Sequence, residues 1–131
     1  ITLSDAGAHL SLFCDAGFAL HLFSRWVRER GDFTLEEAVH RVTGAQADIY
    51  GLPGRGRIEP GSAADLLLFD REKVGRTRKR RVADLPAGAE RLVTGAVGLH
   101  GVWVNGQRAV DANGLTDDGP RAGRVLREFA R

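Results

Sequence analysis

Ile1-Thr2-Leu3-Ser4-Asp5-Ala6-Gly7-Ala8-His9 opens the chain, and the architecture is read outward from it. Ile1 and Leu3 predict the end of a short strand, and Asp5 stands where that strand stops. Ala6-Gly7-Ala8 is a turn almost without side chains, so a ligand could approach its backbone closely. A carboxylate at the C-terminal tip of a strand is where a parallel α/β barrel carries its catalytic groups. His9, four residues after Asp5, brings a second proton-active group near the same point. The competing structural reading makes Asp5 the cap of the helix that follows.

Beyond that turn, residues 16 to 30 predict a helix. Ala19, Leu22, Phe23, Trp26 and Val27 recur at three- and four-residue steps, while Arg25, Arg28 and Glu29 take the other face. Gly31 stands just past its end, the usual place for a left-handed stop. Thr34 with Glu37 three residues on predicts a capping box and a second helix. Leu35, Ala38, Val39, Val42 and Ile49 form its expected buried stripe, closed by Gly51 and Pro53. Two consecutive helices add no parallel strand, which suits the closing end of a barrel better than its middle.

The character then changes. Gly54-Arg55-Gly56-Arg57-Ile58-Glu59-Pro60-Gly61 is punctuated as a loop, and a subdomain boundary is expected near Gly61. Leu66-Leu67-Leu68-Phe69, bounded by Asp65 and Asp70, reads as a short strand buried on both faces. Residues 71 to 90 carry no periodicity and read as a long loop. Asn105-Gly106 between Leu99–Val104 and Gln107–Val110 predicts a type I′ hairpin. Arg124 to Phe129 predicts a short terminal helix.

Composition narrows the function classes. The 131 residues, 43% hydrophobic and 27% charged, are enough for an ordinary packed domain. The absence of Met and the start at Ile1 read as a piece of a longer protein. A net charge of +2 is too small to imply nucleic acid as a partner. The basic run Arg71 to Arg81 has no interleaved aromatic residue and reads as a solvated loop. One Cys excludes an internal disulfide and a Cys-only zinc site. No apolar run approaches the ~18 residues of a membrane span, and a cytoplasmic location is expected.

Three blocks stand in fixed order: Ser4-Asp5-Ala6-Gly7-Ala8-His9, the stretch Gly54 to Asp70, and Val102-Trp103-Val104-Asn105-Gly106. As a set, with the tail Pro120 to Arg127, they resemble the C-terminal part of metal-dependent amidohydrolases, most nearly the N-acyl-D-amino-acid deacylases. The middle block also resembles hydantoinases and dihydroorotases. The resemblance implies an α/β fold. Residues 1–61 would be the end of a (β/α)8 barrel, its last strand and closing helices. Residues 62–131 would be the C-terminal strands of a small β-sandwich.

The implied activity is zinc-dependent hydrolysis of N-acyl-D-amino acids to a carboxylate and a free D-amino acid. The alternatives are cyclic-amide hydrolysis, or a non-catalytic β-rich module if the piece acts alone. The resemblance implies that Asp5 touches the metal and moves the catalytic proton, and that His9 binds substrate. The family's His-x-His and later His ligands are missing, and His9, His21, His40 and His100 are not spaced to replace them. The expected partners are the small-molecule substrate, the remainder of the same enzyme chain, and a second copy through self-association. Cys14 reads as buried packing, His21 and His40 as structural or surface groups, and Asp65 and Asp70 as turn caps.

Overall fold

The computed structural model describes Ala6, His9, residues 11–116 and residues 121–129. The expected strand at Ile1–Leu3 lies outside them. Helices come first and strands follow, a mixed α/β order.

Helix α1 (Phe18–His21) runs into a π-helix, Leu22–Glu29, with α-helical backbone angles at both junction residues. The amphipathic period predicts this segment, but its hydrogen bonds are wider than expected. Arg30 N–H reaches the Arg25 carbonyl (3.0 Å), five residues back, and Asp32 N–H reaches Trp26 (2.9 Å). Side-chain spacing reports which face is apolar, not which carbonyl each amide selects. Gly31 closes the turn at φ +67°, as expected.

Helix α2 (Leu35–Val42) begins at the predicted capping box. Thr34 Oγ1 accepts from Glu37 N–H (3.1 Å), and Glu37 Oε2 accepts from Thr34 N–H (2.8 Å). The single helix expected to Ile49 is in fact two. Thr43, at φ −130° and ψ −91°, breaks it, and α3 (Gly44–Tyr50) restarts with Gly44 and Ala47 as its buried residues. Ile49, expected in the core, is 71% exposed on α3. Gly51 ends α3 in the left-handed region, with Leu52 N–H on the Ala47 carbonyl and Gly51 N–H on Asp48, a Schellman closure.

Strand β1 (Leu66–Phe69) pairs antiparallel with β6 (Leu99–Val104), setting Leu66 opposite Trp103 and Leu67 opposite Val102. The hairpin is where Asn-Gly puts it. Asn105 and Gly106 sit at φ +48° and +80°, the two positive angles a type I′ turn needs, and β7 (Gln107–Asp111) returns. β8 (Gly114–Leu115) completes the sheet order β1-β6-β7-β8.

The expected long loop holds short strands instead. β2 (Gly75–Arg76) pairs with β5 (Ala96–Val97), and β3 (Arg80–Val82) pairs with β4 (Arg91–Val93). Strands of two and three residues are made by their distant partners and leave no local period. The basic run is accordingly paired: Arg76 and Lys79 both reach Asp15, and Arg81 reaches Glu90. Residues 121–129 form no regular element, so the predicted terminal helix is absent. A segment that short is not stable without tertiary support.

The core is small and sits between helices and sheet. Leu22, Phe23, Ala38 and Val74 are buried, with Leu20, Val27, Phe33, Val39, Val42, Phe69 and Leu99 packed around them. The Phe23 and Phe69 rings stack at 5.4 Å and 9°, tying the π-helix to β1. Arg28 Nη1 donates to the Val74 carbonyl (2.8 Å), which pins the β1–β2 turn to the same helix. Leu66, Leu67 and Leu68 are 37%, 44% and 54% exposed, against the expectation of a strand buried on both faces. Among the described residues that run is only partly covered. Trp26, expected on the buried stripe, is 39% exposed.

Candidate functional site

Two regions bear on function: the turn that follows Asp5, and a cleft between the helices and β1. Asp5 itself lies outside the described residues. His9 is described, exposed, and at φ +50°. Its carbonyl accepts the N–H groups of Leu12 (2.7 Å) and Phe13 (3.1 Å), and its ring lies 6.5 Å from the Phe13 ring. The backbone of His9 therefore starts the turn that leads into α1, leaving the imidazole at the surface.

Downstream of that turn the chain is buried and then ion-paired. Cys14 is 3% exposed, the packing role its type predicts. The Asp15 carboxylate accepts from Lys79 Nζ (3.0 Å) and lies 3.7 Å from Arg76. The Lys79 hydrogen bond and charge hold it below the usual carboxylate range. His21 is shifted down, first by burial and then by the nearby Arg76 and Arg25 charges, so it favours the neutral form. His40 is exposed on α2, and His100 on β6. These histidines occupy separate elements. Among the described residues no three His, Cys, Asp or Glu side chains come together as a metal would need.

The cleft has a volume of about 770 Å³ and is walled by Phe18, Leu20, Phe23, Val39, Val42, Leu67 and Phe69. Of the hydroxyls in its lining, Thr43 Oγ1 donates to the Val39 carbonyl (2.7 Å), and the other belongs to Tyr50. Asp65, at its rim, is occupied by Arg55 and by Asn105 N–H (2.8 Å). Asp65 thus caps the hairpin turn from the neighbouring strand, and Asp70 caps its own turn through Glu72 N–H (2.8 Å). Two carboxylates so committed do not form an acid–base pair. Chemically the cleft is a surface for apolar packing, formed by the inner faces of α1, α2 and β1.

Sequence reasoning missed the Arg55–Asp65–Asn105 junction. Arg55 Nη2 donates to Asn105 Oδ1 (3.1 Å), and Gly106 N–H donates to the Ala64 carbonyl (2.9 Å). These contacts join the loop block to the hairpin block, two of the three stretches singled out in the sequence. Their common spacing was visible; that they bond to each other was not.

Comparison with known proteins agrees with the blocks. The model of the amidohydrolase family matches residues 1–110. A D-aminoacylase of Alcaligenes xylosoxydans xylosoxydans is 37% identical over 109 residues, 83% of this chain and 20% of the relative. An N-acyl-D-aspartate deacylase of the same organism is 38% identical over 100 residues, 76% of this chain and 18% of the relative. A solved D-aminoacylase, studied for its binuclear metal center, superposes with a TM-score of 0.62 at 33% identity over 86% of this chain and 21% of its own. Similarity to dihydroorotases extends over only 51 residues, 39% of the chain. The chain spans about a fifth of the length of the curated deacylases it matches.

Proposed function

The chain belongs to the amidohydrolase family, and from that premise we propose that it is the C-terminal part of a metal-dependent N-acyl-D-amino-acid deacylase. The observation that carries this reading is the extent of the match. Similarity to an N-acyl-D-glutamate deacylase takes in 127 residues, 97% of the chain, whereas similarity to cyclic-amide hydrolases takes in 51. In this reading residues 1–61 close a (β/α)8 barrel and residues 62–131 belong to a β-sandwich. The partly exposed leucines of β1 and the apolar cleft then face the remainder of the same enzyme.

The described residues do not by themselves fit a metal site, since no ligand cluster forms among them. Zinc, or another divalent metal, would be held mainly by side chains outside this chain. In this reading what the chain contributes is Asp5, which would stand at the tip of the last barrel strand. Its carboxylate accepts a proton from the attacking water as the water oxygen bonds to the amide carbon. It returns that proton to the leaving nitrogen as the C–N bond breaks. A group placed this way contributes ~10²- to 10⁴-fold to the rate. In this reading His9, exposed in the adjoining turn, binds the substrate carboxylate or carbonyl. Relatives named for D-aspartate and for D-glutamate both match this segment, at 38% and 33% identity, so side-chain selectivity is assigned to barrel loops outside it.

The test is stereochemical. A polypeptide carrying this chain with a complete barrel is given racemic N-acetyl amino acids, and the released amino acid is resolved on a chiral column. Release of the D-enantiomer, abolished by a chelator and restored by divalent metal, is expected. Release of the L-enantiomer, or ring opening of dihydroorotate in its place, refutes the assignment.

A further inference from the structure

The sequence contains two Asn-Gly pairs, Asn105-Gly106 and Asn113-Gly114. This dipeptide is chemically labile because glycine, lacking a side chain, lets its backbone nitrogen approach the preceding carboxamide carbon. The Gly nitrogen bonds to Asn Cγ, the Cγ–Nδ2 bond breaks, and ammonia leaves with the proton that the glycine nitrogen loses. Water then opens the cyclic imide at either carbonyl, giving aspartate or isoaspartate. The two pairs share the same local sequence chemistry, so any difference between them comes from the fold.

Their surroundings differ at the carboxamide, the group that the reaction consumes. The Asn105 carboxamide is held at both ends: Oδ1 accepts from Arg55 Nη2 (3.1 Å), and Nδ2 donates to the Ala122 carbonyl (2.5 Å). The attacking nitrogen is held as well, since Gly106 N–H donates to the Ala64 carbonyl (2.9 Å). Asn105 N–H is fixed on Asp65 (2.8 Å), and Asp65 is paired with Arg55. Asn113, by contrast, is exposed in the β7–β8 turn. Its backbone N–H is held by Asp111 (2.7 Å), but among the described residues its carboxamide has no partner. Gly114 has open space around its Cα.

We infer that Asn113 is the site of spontaneous deamidation in the folded chain, and that the Arg55–Asp65–Ala122 clasp protects Asn105. Conversion of Asn105 requires the clasp to open first, and that opening is a local unfolding event with its own free-energy cost. Once converted, residue 105 would place a carboxylate beside Asp65 and leave the Ala122 carbonyl without its donor. The tail could not re-close on it.

The experiment incubates the intact chain in mildly alkaline buffer and follows both peptides by mass mapping, with isoaspartyl methylation as a second readout. Asn113 is expected to convert at least about tenfold faster than Asn105, the factor one hydrogen bond to a charged partner is worth. In concentrated urea the two rates should converge. Equal rates in the folded chain, or faster conversion at Asn105, overturn the inference. Arg55→Ala should narrow the gap while Asn113 keeps its rate; a folded Arg55→Ala chain with the gap intact also overturns it. If Arg55→Ala does not fold, Arg55→Lys, which keeps the charge but not the forked geometry, should give an intermediate ratio. An unchanged ratio in a folded Arg55→Lys chain counts against the clasp.

Discussion

Replacing Gly98 by alanine should destabilise the chain far more than the same change at Gly31. Both glycines sit in the left-handed region at nearly the same angle, φ +69° and +67°. The backbone cost of adding a Cβ there, about 1–2 kcal/mol, is therefore common to the two. Their surroundings are not. At Gly31 an added Cβ meets nothing within 4 Å, whereas at Gly98 it would lie 2.6 Å from Val74 N and 2.7 Å from Lys73 C. Those are backbone atoms of the turn that carries Val74, only 1% exposed and the most deeply buried of the large core side chains. The same turn is fixed by Gly98 itself, whose carbonyl accepts Asp70 N–H (2.8 Å), so it cannot retreat without losing that bond. Forcing extra volume into a packed site adds about 1–3 kcal/mol. The totals are then about 1.5 kcal/mol for Gly31→Ala and about 3.5 kcal/mol for Gly98→Ala. With a urea m-value of about 2 kcal/mol/M, the midpoints fall by about 0.7 M and about 1.7 M. Urea unfolding followed by far-ultraviolet circular dichroism reads both shifts. Equal midpoints for the two variants would show that the Gly98–Val74 approach is not tight and that the core is not closed there.

Acidification should weaken the fold in two stages. His21, held neutral mainly by burial, has its folded value below its ordinary 6.5, so its contribution is complete above that pH and is lost as pH falls through the lower folded value. Asp15, Asp48 and Asp84, held low by hydrogen bonds from Lys79, Arg57 and Arg91, lose theirs only below their ordinary 3.8. His21→Gln should remove the first stage of a melting-temperature profile and leave the second; an unchanged profile refutes the His21 assignment. The isolated 131-residue chain should self-associate, because Leu66, Leu67, Leu68 and the apolar cleft offer a contiguous, partly exposed surface. Sedimentation showing a sharp monomer at micromolar concentration would contradict this. The isolated chain should also hydrolyse no N-acetyl-D-amino acid, and metal-dependent turnover by it would show that a site assembles from these residues alone.

Local chemistry was legible wherever one or two residues impose a geometry. Thr34 with Glu37, Gly31, Gly51 and Asn105-Gly106 each act within a few residues, and each did what its type requires. The features that escaped depend on distant partners. β2 and β3 exist only because β5 and β4 lie beside them. The break at Thr43 accompanies a close seat for the loop block: a Cβ on Gly56 would come within 2.7 Å of Ala47 and 3.0 Å of the Thr43 carbonyl. Val42-Thr43-Gly44, two β-branched residues before a glycine, was a signal for that break which the continuous apolar stripe concealed. Leu66–Leu68 read as buried on both faces because an apolar run records what a strand is built to pack against. It does not record what the chain in hand supplies. At the site, residue type and order pointed to Asp5, whose surroundings lie outside the described residues, while the Arg55–Asp65–Asn105 junction, spanning 50 positions, had no local signature.

The central claim is that this chain supplies the proton-transferring carboxylate of a deacylase, and Asp5→Asn measures it. The variant, in a polypeptide with a complete barrel, is compared with the parent for N-acetyl-D-amino-acid turnover, metal content and thermal stability. Asparagine keeps the shape of the side chain but cannot accept the proton. Turnover should fall by ~10²- to 10⁴-fold with metal and melting temperature largely retained. Turnover within a few-fold of the parent would contradict the account.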